Sequence, residues 1–189
     1  SRGLGDVYKR QKFQLGILSK FSQRKLDILL SIPFISKIIK KKLKSALGLS
    51  NAKAVVSGAA ALQIALRNWY KKIGVNITVG YGMTENCAIT TQLPGDNFSK
   101  IGSVGKVQPN VEIKIDNDNE EVLMRGPFVM HGYYNDKSLT NKTVKDGWLH
   151  TGDKGRIDSD GYLFITGRVK DTFKTSKGEF IDPAKIEAL

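Results

Sequence analysis

The sequence runs to 189 residues, 40% apolar and 25% charged. This is ordinary globular usage, enough for one domain or for one domain and part of another. No stretch of about eighteen uncharged apolar residues is present, so no segment reads as a membrane-crossing helix. The net charge of +12 invites a nucleic-acid partner, but residues 1–50 hold 12 Lys/Arg against 2 Asp/Glu and the remainder holds 18 against 16.

The excess therefore belongs to the N-terminal quarter. That quarter lacks the Gly/aromatic interleaving of a single-strand binder and any zinc-finger spacing, which argues against nucleic acid. Residues 1–11, Ser1-Arg2-Gly3-Leu4-Gly5-Asp6-Val7-Tyr8-Lys9-Arg10-Gln11, match the forward translation of a transposase-based sequencing adapter. They are set aside as an artefact, and the native reading is expected to begin near Lys12. From Phe13 to Leu30, Leu15, Leu18, Phe21, Leu26, Leu29 and Leu30 recur at helical spacing. Pro33 interrupts. A second helix is expected over Ser36 to Leu47, stopping at Gly48. Its cations Lys40, Lys41, Lys42 and Lys44 read as a solvated face or, alternatively, as a patch for a membrane surface or an anionic ligand.

Ala52 to Val56 reads as a short strand. Ser57-Gly58-Ala59-Ala60-Ala61 is expected to open a helix reaching Lys72. Small residues at such a turn permit close packing or leave room for a flat ligand. Ile77-Thr78-Val79 reads as a buried strand, and the strand–helix–strand succession predicts a parallel α/β layer. Gly80-Tyr81-Gly82-Met83-Thr84-Glu85 follows. Its bland reading is a strand, a Gly turn and a helix start. Its chemical reading is a stacking face in Tyr81, a phosphate donor in Thr84 and a Mg²⁺-holding carboxylate in Glu85. Cys87, the one cysteine, excludes an internal disulfide, fits a reducing compartment and reads as a small buried hydrophobe. With only His131 and His150 present, the sequence argues against a His-based metal cluster or triad.

After Pro94-Gly95, short β-like segments alternate with turns: Val111–Ile115, Glu121–Met124, Arg156–Ile157 and Tyr162–Ile165. Asn117-Asp118-Asn119 signals a turn between two of them. A small antiparallel β unit is expected here. Trp148-Leu149-His150-Thr151-Gly152-Asp153 puts a carboxylate after a Gly turn, either a plain turn Asp or an acceptor for two ribose hydroxyls. Gly167-Arg168-Val169-Lys170-Asp171-Thr172-Phe173-Lys174 gathers cations around one carboxylate and reads in isolation as a solvated loop.

Four clusters in this order resemble the adenylate-forming, AMP-binding superfamily: Ser57 to Ala60, Tyr81 to Glu85, Trp148 to Asp153 and Gly167 to Asp171. Residues 36–189 match it in order and spacing. Phe173 to Ile181 tilts the resemblance toward long-chain fatty acyl-CoA synthetases. The resemblance implies an α/β fold: residues 12–168 as part of the large domain, and residues 169–189 as the hinge and start of a small C-terminal domain. It implies that Gly58, Ala59, Ala60 and Gly82 border the nucleotide, that Tyr81 stacks on adenine, and that Thr84 and Glu85 serve catalysis at the phosphates and Mg²⁺. It implies that Asp153 with Arg168 binds the ribose, that Lys174 lies near the nucleotide, and that Lys170 is the hinge. Ala61 departs from the proline often found there.

ATP, Mg²⁺, coenzyme A and a fatty acid are the implied cofactors and partners, in the cytoplasm and with peripheral membrane contact as a further expectation. The phosphate loop and the adenylation lysine of the family are absent, so an inactive internal fragment of an active parent is expected. A rival reading passes the acyl group elsewhere, as an acyl carrier protein synthetase or carboxylic acid reductase does. Another, from a different class, is a basic membrane or anion-binding module.

Overall fold

Apolar residues at helical spacing in the N-terminal quarter form two helices, α1 (Gln23–Ser31) and α2 (Pro33–Ala46). The computed structural model describes residues 23–58, 62–88, 90–170, 173–174 and 180–181. Leu15, Leu18 and Phe21 lie outside them. Pro33 does not stand between helices but opens α2, three residues before the expected start. Its fixed φ suits the first turn, and its missing N–H has no helical partner there anyway. α2 ends where Leu47 N–H donates to Leu43 O at 3.0 Å and Gly48 takes φ +72°. These helices, with residues 72–74, make one compact unit. Within it Lys72 Nζ meets Asp27 Oδ1 at 2.8 Å, an exposed pair of small energetic weight.

The second unit holds residues 54–71 and those from 75 onward. Its first sheet is β1 (Val55–Ser57), β2 (Ile77–Tyr81), β3 (Thr91–Leu93) and β4 (Lys106–Val107), in that order. β1 and β2 run parallel, joined through helix α3 (Ile64–Lys72). β3 and β4 return antiparallel, so the expected parallel layer is in fact mixed. The helix begins at Ile64, and Ser57, where the expected helix opens, still pairs with Val79 in the sheet. Ala59, Ala60 and Ala61 lie outside the described residues. Ile77 and Val79 are buried at alternate positions, the period of a strand with one face on a core.

The second sheet is antiparallel. It comprises β5 (Glu112–Ile115), β6 (Glu121–Arg125), β7 (Val144–Lys145), β8 (Trp148–Ile157) and β9 (Leu163–Arg168). The order is β5-β6-β8-β7, with β9 also on β8. Helix α4 (Lys137–Thr143) precedes β7. The β5–β6 turn follows the Asn/Asp signal: Asp118 N–H donates to Asp116 Oδ1 at 2.9 Å, and Glu121 N–H to Asn119 Oδ1 at 2.8 Å. Arg156 and Ile157 are not a separate strand but the end of the ten-residue β8. The Trp148–Asp153 cluster thus lies within a strand rather than leading into a turn. Asp153 stands opposite Arg168 of β9. Val122, Met124, Leu149 and Leu163 form a core cluster, with Tyr81 at the end of β2 and Met83 just after that strand packed against it. A short hairpin, β10 (Phe173–Lys174) with β11 (Phe180–Ile181), follows. The side chains of Phe173, Lys174, Phe180 and Ile181, and all of Asp171, Ile186 and Leu189, lie outside the described residues.

Candidate functional site

The loop after β2 is wound tightly by its own sequence. A Cβ on Gly82 would overlap the Ala88 carbonyl, so only glycine fits there. Asn86 is buried and supports the loop from inside. Its Oδ1 accepts from Met83 N–H at 2.8 Å, and its Nδ2 donates to Met124 Sδ at 3.1 Å. Thr84, Glu85 and Asn86 form a single 3₁₀ turn. Thr84 is exposed and Glu85 half-buried. Cys87 ends the turn at φ +58° and is exposed, not the buried hydrophobe expected. The left-handed cap turns its side chain out of the core.

Tyr81 and Asp153 meet although 72 positions separate them: Tyr81 Oη donates to Asp153 Oδ2 at 2.7 Å. Arg168 Nε lies 3.2 Å from Asp153 Oδ1. The carboxylate is therefore oriented through both oxygens, with a lone pair on each left for further donors. Burial pushes the Tyr81 hydroxyl well above its ordinary range, and the hydrogen bond and charge of Asp153 add to that. The hydroxyl stays a neutral donor. Gly58 follows β1 beside β2, where a Cβ would stand 3.4 Å from the Gly80 carbonyl. Lys170 is exposed in the turn after β9. Ala59, Ala60 and the Lys174 side chain are outside the described residues.

Two features escaped the sequence reading. Glu121 is buried and serves the Asp153 strand. Its Oε1 accepts from Gly152 N–H at 2.8 Å, and its Oε2 lies 2.9 Å from His150 Nδ1. Thr151 Oγ1 donates to Val122 O at 2.7 Å and accepts from Asp153 N–H at 3.1 Å. A carboxylate at the head of the apolar run Val122-Leu123-Met124 was the available signal, since a buried charge needs partners. The second is Tyr133, whose Oη donates to Glu85 Oε1 at 2.8 Å. The Glu85 hydrogen bond is the main cause raising its hydroxyl above the ordinary range.

No cluster of three His, Cys, Asp or Glu suited to a metal occurs among the described residues. Glu85 nonetheless fits Mg²⁺ in its nucleotide-site mode, one carboxylate with phosphates and waters. Tyr133 occupies Oε1, and Oε2 has no hydrogen bond among the described residues.

The chain belongs to the AMP-binding enzyme family, which it matches over residues 11–134. Within that family it is similar to long-chain acyl-CoA ligases. It is 32% identical to long chain acyl-CoA synthetase 5 of Arabidopsis thaliana, over 97% of this chain and 30% of the relative. It is 39% identical to the long-chain-fatty-acid–CoA ligase FadD15 of Mycobacterium bovis, over 80% of this chain and 25% of the relative. Among solved structures it resembles o-succinylbenzoate coenzyme A synthetase from Bacillus subtilis in complex with ATP and magnesium ion. The TM-score there is 0.65 at 32% identity, covering 72% of this chain and 30% of that one. The chain thus spans about 30% of the length of the first of these relatives. This membership removes the basic membrane module as a reading of the whole chain.

Proposed function

We propose that the full-length protein is an ATP-dependent fatty acid ligase. A fatty carboxylate attacks the α-phosphorus of ATP, pyrophosphate leaves, and the acyl-adenylate forms. The thiol of coenzyme A then attacks the acyl carbon, and AMP leaves. The observation that carries the reading is the Tyr81–Asp153 hydrogen bond. It draws two motifs remote in sequence onto one spot, beside the turn bearing Thr84 and Glu85. The ring of Tyr81 supplies a face for adenine and Asp153 accepts from the ribose hydroxyls, with Arg168 holding the carboxylate in place. Thr84, exposed at the turn, donates to a phosphate oxygen. Bound at Glu85, Mg²⁺ would offset charge on the phosphates. Lys170 marks the hinge of the family's small domain, and the protein works in the cytoplasm at the bilayer surface where its acyl substrates partition.

The test is ATP–pyrophosphate exchange by the full-length protein across a series of fatty acids, followed by thioester formation with coenzyme A. Exchange stimulated by long-chain acids is expected. Asp153→Ala should raise the KM for ATP by about tenfold or more, as loss of a charged hydrogen-bond acceptor does. Absence of exchange with every carboxylate would overturn the reading. Exchange without thioester formation would redirect it to another acceptor.

A further inference from the structure

We propose that Tyr133 is a positioning residue that aims the carboxylate of Glu85 at its cation. This rests on the reading of Glu85 as the Mg²⁺ ligand. A half-buried glutamate on a short turn can still rotate about three side-chain bonds, and a freely rotating carboxylate binds a metal poorly because ordering it costs entropy. Here residue 85 is held at both ends by one segment. Met130 N–H donates to the Glu85 main-chain carbonyl at 2.8 Å, and Tyr133 Oη donates to Oε1 at 2.8 Å. One oxygen is pinned and the other is presented.

The donor's chemistry matters as much as its position. A lysine or arginine at this spot would neutralise the carboxylate and compete with a divalent cation. Glu85 has no ion pair among the described residues. A phenol orients the carboxylate and leaves its charge intact. Hydrogen-bonded outer partners of this kind tune the ligands of metal sites generally.

Tyr133 is itself fixed from behind. Its N–H donates to Thr140 Oγ1 at 2.9 Å, and that hydroxyl donates to the Asp136 carbonyl at 2.8 Å. Asp136 Oδ1 accepts from Leu139 N–H at 2.8 Å and so caps α4. Gly132, at φ +153°, passes so close to Thr140 that a Cβ would stand 2.8 Å from its methyl group. The start of α4 is thus bonded to Tyr133, and Tyr133 carries that position to the Glu85 carboxylate.

The experiment is Tyr133→Phe in the full-length protein, which deletes one hydroxyl and keeps the ring. Adenylation is followed against Mg²⁺ concentration. Binding of Mn²⁺, with a non-hydrolysable ATP analogue present, is followed by electron paramagnetic resonance. Half-saturation by metal should rise about tenfold in both readouts, while the rate at saturating Mg²⁺ falls less than about threefold. Thr140→Val, which frees the Tyr133 amide but leaves the phenol, should shift metal affinity in the same direction by less. Glu85→Gln separates this proposal from the reading beneath it. If Glu85→Gln leaves metal affinity unchanged, Glu85 is not the ligand and both fall. If Glu85→Gln weakens metal binding and neither Tyr133→Phe nor Thr140→Val does, the positioning role alone is overturned. A fall in the saturated rate with unchanged metal affinity overturns it as well.

Discussion

Tyr81 has two jobs in one side chain, a ring face and a hydroxyl committed to Asp153. Tyr81→Phe keeps the first and removes the second. It should cost about 2 kcal/mol of stability, the usual weight of a hydrogen bond to a charged group, read from the denaturant midpoint. The same residue sets a pH dependence. In the fold it keeps its proton above its ordinary value of 10.0, whereas the unfolded chain gives it up there. Above that pH the unfolded state binds fewer protons, so stability falls as pH rises; below it the contribution is fully present. Between pH 10 and 11 the parent should lose stability faster than Tyr81→Phe, by up to about 1.4 kcal/mol per pH unit. Parallel alkaline limbs would contradict this. Glu121 acts at one remove. Glu121→Ala leaves Gly152 N–H without its acceptor and should cost about 1–3 kcal/mol, whereas Glu121→Gln, retaining one acceptor oxygen, should cost less. Thermal unfolding of the two variants side by side checks the order.

The described residues of the β2–β3 connection are tied together by main-chain hydrogen bonds. Thr90 N–H donates to Tyr81 O at 2.9 Å and Ala88 N–H to Met83 O at 2.9 Å, so the loop closes on itself around the buried Asn86. Gly82→Ala would drive a methyl into the Ala88 carbonyl. The loop must then open, at about 2 kcal/mol or more by the usual cost of overpacking. Thr84 and Glu85 would move with it, so nucleotide affinity should fall together with stability. An alanine variant with parental ATP affinity would mean that the loop does not position these residues. β8 is similarly constrained. A Cβ on Gly155 would stand 2.7 Å from Val122 Cγ2, and the register with β9 shifts beside it, between Lys154 and Gly155, a local irregularity just past Asp153.

At the scale of the whole molecule, α1 and α2 carry exposed apolar side chains together with exposed lysines. Phe34 is 76% exposed and Ile28 63%. Lys37, Lys41 and Lys42 are exposed, whereas Lys40 and Lys44 are half-buried. We propose that this surface meets an anionic bilayer, each cation near it contributing about 1 kcal/mol. Lys41→Glu with Lys42→Glu should therefore reduce binding of the full-length protein to phosphatidylserine liposomes by about tenfold or more. Sedimentation indifferent to salt and to anionic lipid would remove this membrane contact.

The strand, Gly turn and helical turn at Tyr81–Glu85 were legible in the residues because they are local, whereas Trp148–Asp153 and Gly167–Arg168 are strand where a turn and a loop were expected. Also legible were the β1–α3–β2 unit and the Asn117–Asn119 turn, which rest on periodicity and turn propensity over a few positions. What sequence spacing cannot carry is partnership across the chain. Tyr81 finds Asp153, Glu121 finds Gly152, and Tyr133 finds Glu85 only after strands have paired, because each bond joins residues at least 31 positions apart. The same holds for Cys87, whose exposure follows from a left-handed backbone at the end of one turn, and for the antiparallel return of β3, set by pairing rather than by its own three residues. Local pattern determined the chemistry available to this protein. Tertiary pairing decided which groups stand within hydrogen-bond reach of one another, since that distance depends on the path of the chain between them.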